Sequence, residues 1–280
     1  MVPAYCEEDN VRPFHDSVTA ALDGVDFDIE FVFVNDGSTD GTDAALAKLA
    51  EGDQRVRVLR FARNFGAHAA ITAGLHCAAG DAVVIISIDG QDPPTLILQM
   101  VEQWRQGASV VWSARDGRDD PFMKKLLANT FYGLFRRIAF ADIPRGGMDT
   151  GLFDRSVVNV FRRIKDHEVV PIYAIFSLGF DSTTIPYRRL ERRRGASGWP
   201  LRKRLRVAVD LITCYSYVPI RLISLVGLIG SLTALILGSK VIYDRLVLGL
   251  GDSDWPSLAA LVLFVGSVQM LMVGIVAEYV

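Results

Sequence analysis

The sequence predicts an α/β domain built on a mostly parallel sheet, followed by amphipathic juxtamembrane helices and two transmembrane helices. Three observations carry that prediction. Between residues 1 and 115 short β-branched runs alternate with stretches of helical periodicity, the rhythm of βαβ units covered on both faces. Residues 188–206 hold nine Arg or Lys against one acidic residue, Glu191. Beyond them lie two long runs without a charge, Leu222–Ser239 and Trp255–Ala277.

The elements follow in order. Met1-Val2-Pro3-Ala4-Tyr5 reads as the tail of a strand entering a turn, and Val11, Phe14, Val18 and Leu22 then recur at helical spacing. Strands are expected at Ile29–Val34, Val56–Phe61, Ala82–Ile88 and Ser109–Ser113, each short, apolar and bounded by Gly, Asp or Asn. Ala45, Leu46 and Leu49 mark a helix between the first two of these, and the alanine-rich stretch Ala67–Ala79 suits a packed one. Residues 120–140 set Phe122, Leu126, Leu127, Phe131, Leu134 and Phe135 against Lys124, Lys125, Arg136 and Arg137. That face suits a membrane surface or the cover of a sheet, and pattern alone does not choose. As helices the two uncharged runs reach about 27 and about 34 Å, enough to cross a bilayer. Trp255, Tyr243, Lys240 and Glu278 fall where interfacial anchors belong. By the positive-inside rule the basic run places the preceding domain in the cytoplasm, giving a multi-pass integral membrane protein. The expected division is 1–187 for the α/β domain, 188–218 for the basic segment and 219–280 for the two spans. Gly227, Gly230 and Ser231 permit close contact of the first span with the second or with another copy in a homo-oligomer.

Composition narrows the function classes. Half the residues are hydrophobic while 22% are charged, so the apolar surplus is concentrated, and it sits at the C-terminus. A net charge of −2 carries no polyanion-binding excess, which argues against nucleic acid. Cys6, Cys77 and Cys214 are far apart, without disulfide or zinc spacing, as in a reducing compartment. No secretory signal opens the chain. Its abrupt start, and its end directly after an apolar run at Glu278-Tyr279-Val280, predict a chain trimmed at both ends.

Three local features carry chemistry. The first is Pro3-Ala4-Tyr5-Cys6-Glu7-Glu8, and the second runs from Phe33 to Thr42 through Asn35-Asp36-Gly37-Ser38-Thr39-Asp40-Gly41. Ligands of open α/β sheets bind beyond the carboxyl ends of strands, where Asp36 can accept hydrogen bonds from a ribose or base. The same residues also suit an Asx-turn and a helix cap. The third is Ser87-Ile88-Asp89-Gly90-Gln91-Asp92-Pro93-Pro94, where oxygen ligands cluster without Cys or His nearby. Hard oxygen donors select Mg²⁺ or Mn²⁺, which neutralise a leaving diphosphate. His15, His68, His76 and His167 have no ligand spacing, and His68 and His76 read as packing or surface residues.

The order PAYxEE, VNDGSTDGT and acidic strand end resembles the family 2 glycosyltransferases with the GT-A type fold. Ala62-Arg63-Asn64-Phe65-Gly66, QDPP at 91–94, Arg192-x-x-Gly195-x-Ser197 and the two-helix tail resemble, more narrowly, the polyprenyl-phosphate glycosyltransferases. The resemblance implies a UDP- or GDP-linked sugar donor, a polyprenyl phosphate acceptor, a divalent cation and an enzyme held at a membrane. It implies that Pro3, Tyr5, Glu7, Asp36 and Arg63 hold the donor, and that Asp89 and Gln91 hold the metal and diphosphate. Arg115, Arg192 and Ser197 are implied to meet phosphate groups, and Asp149 to orient the acceptor. A phosphate monoester is largely a dianion at neutral pH, so a strong base is unnecessary. Single displacement inverts the anomeric centre. Two positions depart from the pattern: Ser87 stands where the family has the first Asp of Asp-x-Asp, and Gly198 where it often has Lys. A polysaccharide synthase is a weaker reading, since Gln-x-x-Arg-Trp and further spans are lacking. A non-catalytic adaptor is another, resting on Ser87.

Overall fold

The computed structural model describes residues 1–115, 148, 150–164, 170–188, 190, 217–249 and 255–279. They form two compact units, an α/β domain and a pair of long helices, each described by itself. Expectations placed on residues 120–140, on Asp149, Arg192, Ser197 and Gly198, and on most of the basic segment lie outside the described residues.

The domain runs β1 (Val2–Ala4), α1 (Glu8–Ala21), β2 (Phe31–Asn35), α2 (Thr42–Gly52), β3 (Val56–Arg60), α3 (Ala67–Cys77), β4 (Ala82–Ile85) and α4 (Thr95–Arg105). β5 (Val110–Arg115), β6 (Thr150–Asp154), α5 (Arg155–Phe161), α6 (Pro171–Ser177) and β7 (Ser182–Tyr187) complete it. β1, β2 and β3 pair in parallel. A second group runs β4-β6-β5-β7, with β6 antiparallel to both neighbours and β7 parallel to β5. Met1 joins the two groups: its nitrogen donates to the Val84 carbonyl at 2.8 Å and its carbonyl accepts the Ile86 N–H at 3.2 Å. That is the parallel pattern, so one continuous sheet runs β3-β2-β1-β4-β6-β5-β7 with β6 alone reversed among the described strands.

Burial explains why these segments are strands. All five residues of β2 are buried, which fits a central strand covered on both faces. Alternation puts Phe31 and Phe33 on one face, where Phe14 of α1 meets Phe33 edge-on at 6.1 Å between ring centres. α3 lies against β1 and β2, and Gly74 leaves the room that the Met1 side chain fills. Val11, Phe14 and Val18 form the buried stripe of α1, and Leu22 extends it just past the helix end. β4 is shorter than the apolar run 82–88 suggests because its partner gives out: Ile85 pairs with Gly151, next to the first residue of β6. Ile86 and Ile88 remain in the core. α5 starts at Asp154, whose carboxylate accepts the Ser156 N–H at 2.8 Å and the Trp104 indole N–H at 2.8 Å.

The second unit is α7 (Val218–Leu246) and α8 (Trp255–Tyr279). They pack antiparallel along a seam of small residues. A Cβ at Gly227 would stand 2.6 Å from the Leu271 nitrogen; Gly230 faces Ser267 and Gly274 faces Ser224. Both helices are long and apolar enough to cross a membrane, and only 11% and 17% of their most apolar windows are buried.

Candidate active site

The loops that follow β1, β2, β3 and β4 all leave the same end of the sheet, and side chains knit the first three together. After β1 the chain turns through Cys6, whose φ of 54° is the one positive value outside glycine among the described residues. Its N–H donates to Ser38 Oγ at 3.0 Å, and the next N–H, of Glu7, donates to Thr42 Oγ1 at 2.9 Å. Glu8 accepts the Gly41 N–H at 3.0 Å. The Asx-turn reading of the β2–α2 loop holds for its second aspartate, since Asp40 Oδ1 accepts the Thr42 N–H at 3.1 Å and its hydroxyl at 2.6 Å.

Asp36 does something the sequence does not disclose. It is 2% exposed, and its two oxygens accept the N–H groups of Phe65 at 2.7 Å and Gly66 at 2.9 Å. It thereby holds the Arg63-Asn64-Phe65-Gly66 loop against β2. Gly37, at a φ of 64°, lets that loop approach: a Cβ there would stand 2.7 Å from Arg63 Cα. On the outer side of this assembly Tyr5 is 46% exposed, and the exposed Arg63 guanidinium lies 4.8 Å from the centre of the Phe65 ring. The Tyr5 phenol is pushed above its ordinary pKa by the neighbouring Cys6 first, with Asp36 adding and an Asn64 hydrogen bond opposing. Tyr5, Asp36 and Arg63 are thus brought together. Glu7 is half-buried and accepts the Asn10 amide at 2.5 Å, while Pro3 sits within β1.

The loop after β4 carries Ser87, Asp89 and Gln91. Asp89 is buried, at 3% exposure, with Oδ1 accepting the Gln91 N–H at 3.1 Å across Gly90 at a φ of 71°. Ser87 and Gln91 are half-buried. The Gln91 carbonyl accepts the Leu190 N–H at 2.9 Å, which ties the loop to the start of the basic segment. Arg115 closes β5 opposite Tyr187 of β7. The donors around Asp89 are oxygens, and no group of three His, Cys, Asp or Glu that could hold a metal occurs among the described residues. The oxygens of Asp89 and Gln91 are of the chemistry that hard divalent cations take.

Sequence reasoning missed the roles of Thr150 and Tyr187, whose hydroxyls both donate to Asp92 of this loop. The QDPP motif and the polar ends of β6 and β7 were the available signal. His76 is exposed and bonds the Thr72 carbonyl at 2.9 Å through Nδ1, while His68 is half-buried on the same helix. A cavity of about 420 Å³ lies toward the opposite end of the strands among Phe27, Phe31, Ala82 and Trp104, away from these loops.

Residues 1–169 match the family described as Glycosyl transferase family 2. The chain belongs to that family. The likeness to individual glycosyltransferases extends past the matched domain. An uncharacterized glycosyltransferase of Bacillus subtilis, YkcC, is 35% identical over all of this chain and 87% of its own. The bactoprenol glucosyl transferase of Shigella phage SfV is 34% identical over all of this chain and 92% of its own. A prophage bactoprenol glucosyl transferase homolog of Escherichia coli is 33% identical with the same coverage. Among solved structures, glucosyl-3-phosphoglycerate synthase of Mycobacterium tuberculosis with Mn²⁺ and UDP-glucose superposes at a TM-score of 0.53, with 21% identity and 76% of each chain covered. That likeness establishes a GT-A type fold for this glycosyltransferase. Its carboxyl-end loops are the part of such a fold where ligands enter.

Proposed function

We propose that this glycosyltransferase moves a sugar from a nucleoside-diphosphate donor to a polyprenyl phosphate, with inversion, at the cytoplasmic face of a membrane. One observation carries the reading: the identity to bactoprenol glucosyl transferases covers the whole chain, apolar helices included, and not only the family 2 domain.

The roles follow from the loops. The exposed Tyr5 ring and the Arg63–Phe65 pair offer flat surfaces for a nucleoside. Glu7, Pro3 and Asp36 shape its seat. Asp89 and Gln91 would hold Mg²⁺ or Mn²⁺, which supplies charge stabilisation for the leaving diphosphate. Arg115, Arg192 and Ser197 are assigned to the acceptor phosphate, for which an arginine fork and a hydroxyl suit the oxygen geometry. Asp149 orients the acceptor. The phosphate dianion attacks the anomeric carbon from the face opposite the diphosphate, so no base is required. In this reading residues 1–187 are catalytic, 188–218 lie along the anionic membrane surface, and 219–280 cross the bilayer twice. Anchoring confines the search for a lipid headgroup to a plane.

The test uses the full chain in lipid nanodiscs with Mn²⁺, a panel of labelled UDP- and GDP-sugars, and undecaprenyl phosphate. Label entering the organic phase is expected with one donor, and Asp89→Ala should lower that rate by about 100-fold or more, the scale of losing a charge-stabilising group. An unchanged rate in Asp89→Ala removes the cation assignment. Absence of lipid label with every donor removes the acceptor.

A further inference from the structure

Asp92 lies outside the residues assigned to donor, cation or acceptor, yet it is 4% exposed and fully engaged. Its Oδ1 accepts the Tyr187 hydroxyl at 2.8 Å, and its Oδ2 accepts the Thr150 hydroxyl at 3.1 Å and, more weakly, the Ser87 N–H at 3.4 Å. The three donors belong to different parts of the sheet. Tyr187 is the last residue of β7, Thr150 the first of β6, and Ser87 lies two residues past β4. Ser113 of β5 closes the set, donating its hydroxyl to the Thr150 carbonyl at 3.0 Å. One buried carboxylate therefore fixes the loop bearing Asp89 and Gln91 against the ends of β6 and β7. From those ends the chain leads directly to Asp149 and Arg188 in sequence.

We propose that Asp92 is a positioning residue for the transfer, setting the cation-side loop against the acceptor-side strand ends. The inference rests on the glycosyl-transfer reading above, and it concerns geometry and not contact with either substrate. The chemistry of the pair of hydroxyls makes the carboxylate specific. An ionised Asp presents acceptors on both oxygens, whereas an amide in its place presents one acceptor and an NH₂ group, which cannot accept from the second hydroxyl. A site misplaced by a fraction of an ångström loses rate more than affinity when the bound substrates no longer align.

The experiment compares wild type, Asp92→Asn, Tyr187→Phe, Thr150→Val and the double variant Asp92→Asn with Tyr187→Phe, all as full chains in nanodiscs, well below their unfolding midpoints. It reads kcat, KM for each substrate, and the Kd of the donor nucleotide with Mn²⁺. Losing a hydrogen bond to a charged partner should lower kcat about 10-fold in Tyr187→Phe and Thr150→Val, and further in Asp92→Asn, with donor KM and nucleotide Kd within about twofold. The double variant should be no slower than Asp92→Asn, because both changes break one interaction. Wild-type kcat in the folded Tyr187→Phe and Thr150→Val proteins overturns the proposal, whatever Asp92→Asn does to folding. A loss carried by donor KM, or independent effects in the double variant, overturns it too. Should wild type label no lipid, the acceptor reading falls separately, and the same order of rates is then required of donor hydrolysis.

Discussion

The α/β domain and the helical pair are built as opposites. In the domain the largest side chains are the most hidden, with Trp112, Phe33, Phe153 and Phe161 fully buried. Among the described residues of the helical pair the buried positions are Gly227, Ser231, Ala234, Ala260, Ser267 and Gly274, while Leu, Ile and Val line the outside, Ile236 at 70% exposure. Each arrangement is right for a different solvent. Water drives large apolar groups inward, but a hydrocarbon surround gives no such drive, and close backbone contact between small residues holds the helices instead. The contrast matches the length and apolarity that would let the two helices cross a membrane.

The sharpest way to break this comparison is a pair of truncations. Phe33→Ala in the domain should cost about 3 to 5 kcal/mol, read by denaturant unfolding. Ile236→Ala on the outer face of α7 should change the stability of the helical pair in nanodiscs by less than about 0.5 kcal/mol. Comparable losses at both positions would mean that the outer face of α7 is buried against protein. Next in size, Gly227→Leu at the seam should cost about 1 to 3 kcal/mol by forcing the helices apart, with Gly238→Leu as the neutral control because nothing lies near its missing Cβ.

The smallest effect sharpens the picture of the domain surface. Asp53 is held below the usual carboxylate range by the Arg55 guanidinium first, with desolvation opposing and the Arg55 N–H and His15 adding to the pull. A carboxyl depressed in the folded state contributes stability above its unfolded pKa, about 3.9, that is lost as pH falls toward the folded value. Asp53→Asn should therefore lower the unfolding midpoint at pH 7, and the gap from wild type should close as the solution is acidified below about pH 4. A gap that stays constant would assign the effect to packing.

Much of the domain was legible because it is written in local periodicity. The stripe Val11, Phe14, Val18 and Leu22 is the buried face of α1 and its end, and the apolar runs at 29–34 and 56–61 lie within a residue or two of β2 and β3. The order of the three motifs led to the right family. Features that depend on distant partners were not legible. The reversal of β6 and the early end of β4 follow from a pairing between residues far apart in sequence. Likewise nothing near Asp36 in sequence announces that Phe65 and Gly66 will bring their N–H groups to it. Asp92 was passed over for the same reason: its hydroxyl partners lie on β6 and β7. The role of Gly227 was open between a neighbouring helix and another copy, and its placement against Leu271 assigns it to α8.

One consequence of the reversed strand concerns how such an enzyme can diversify. Because Ser113 pairs with Thr150, the chain leaves β5 and re-enters β6 at nearly the same point on the rim of the sheet. Because the cost of closing a loop rises only slowly with its length, the connection between those two ends can lengthen or shorten at little expense to the pairing of β5 with β6.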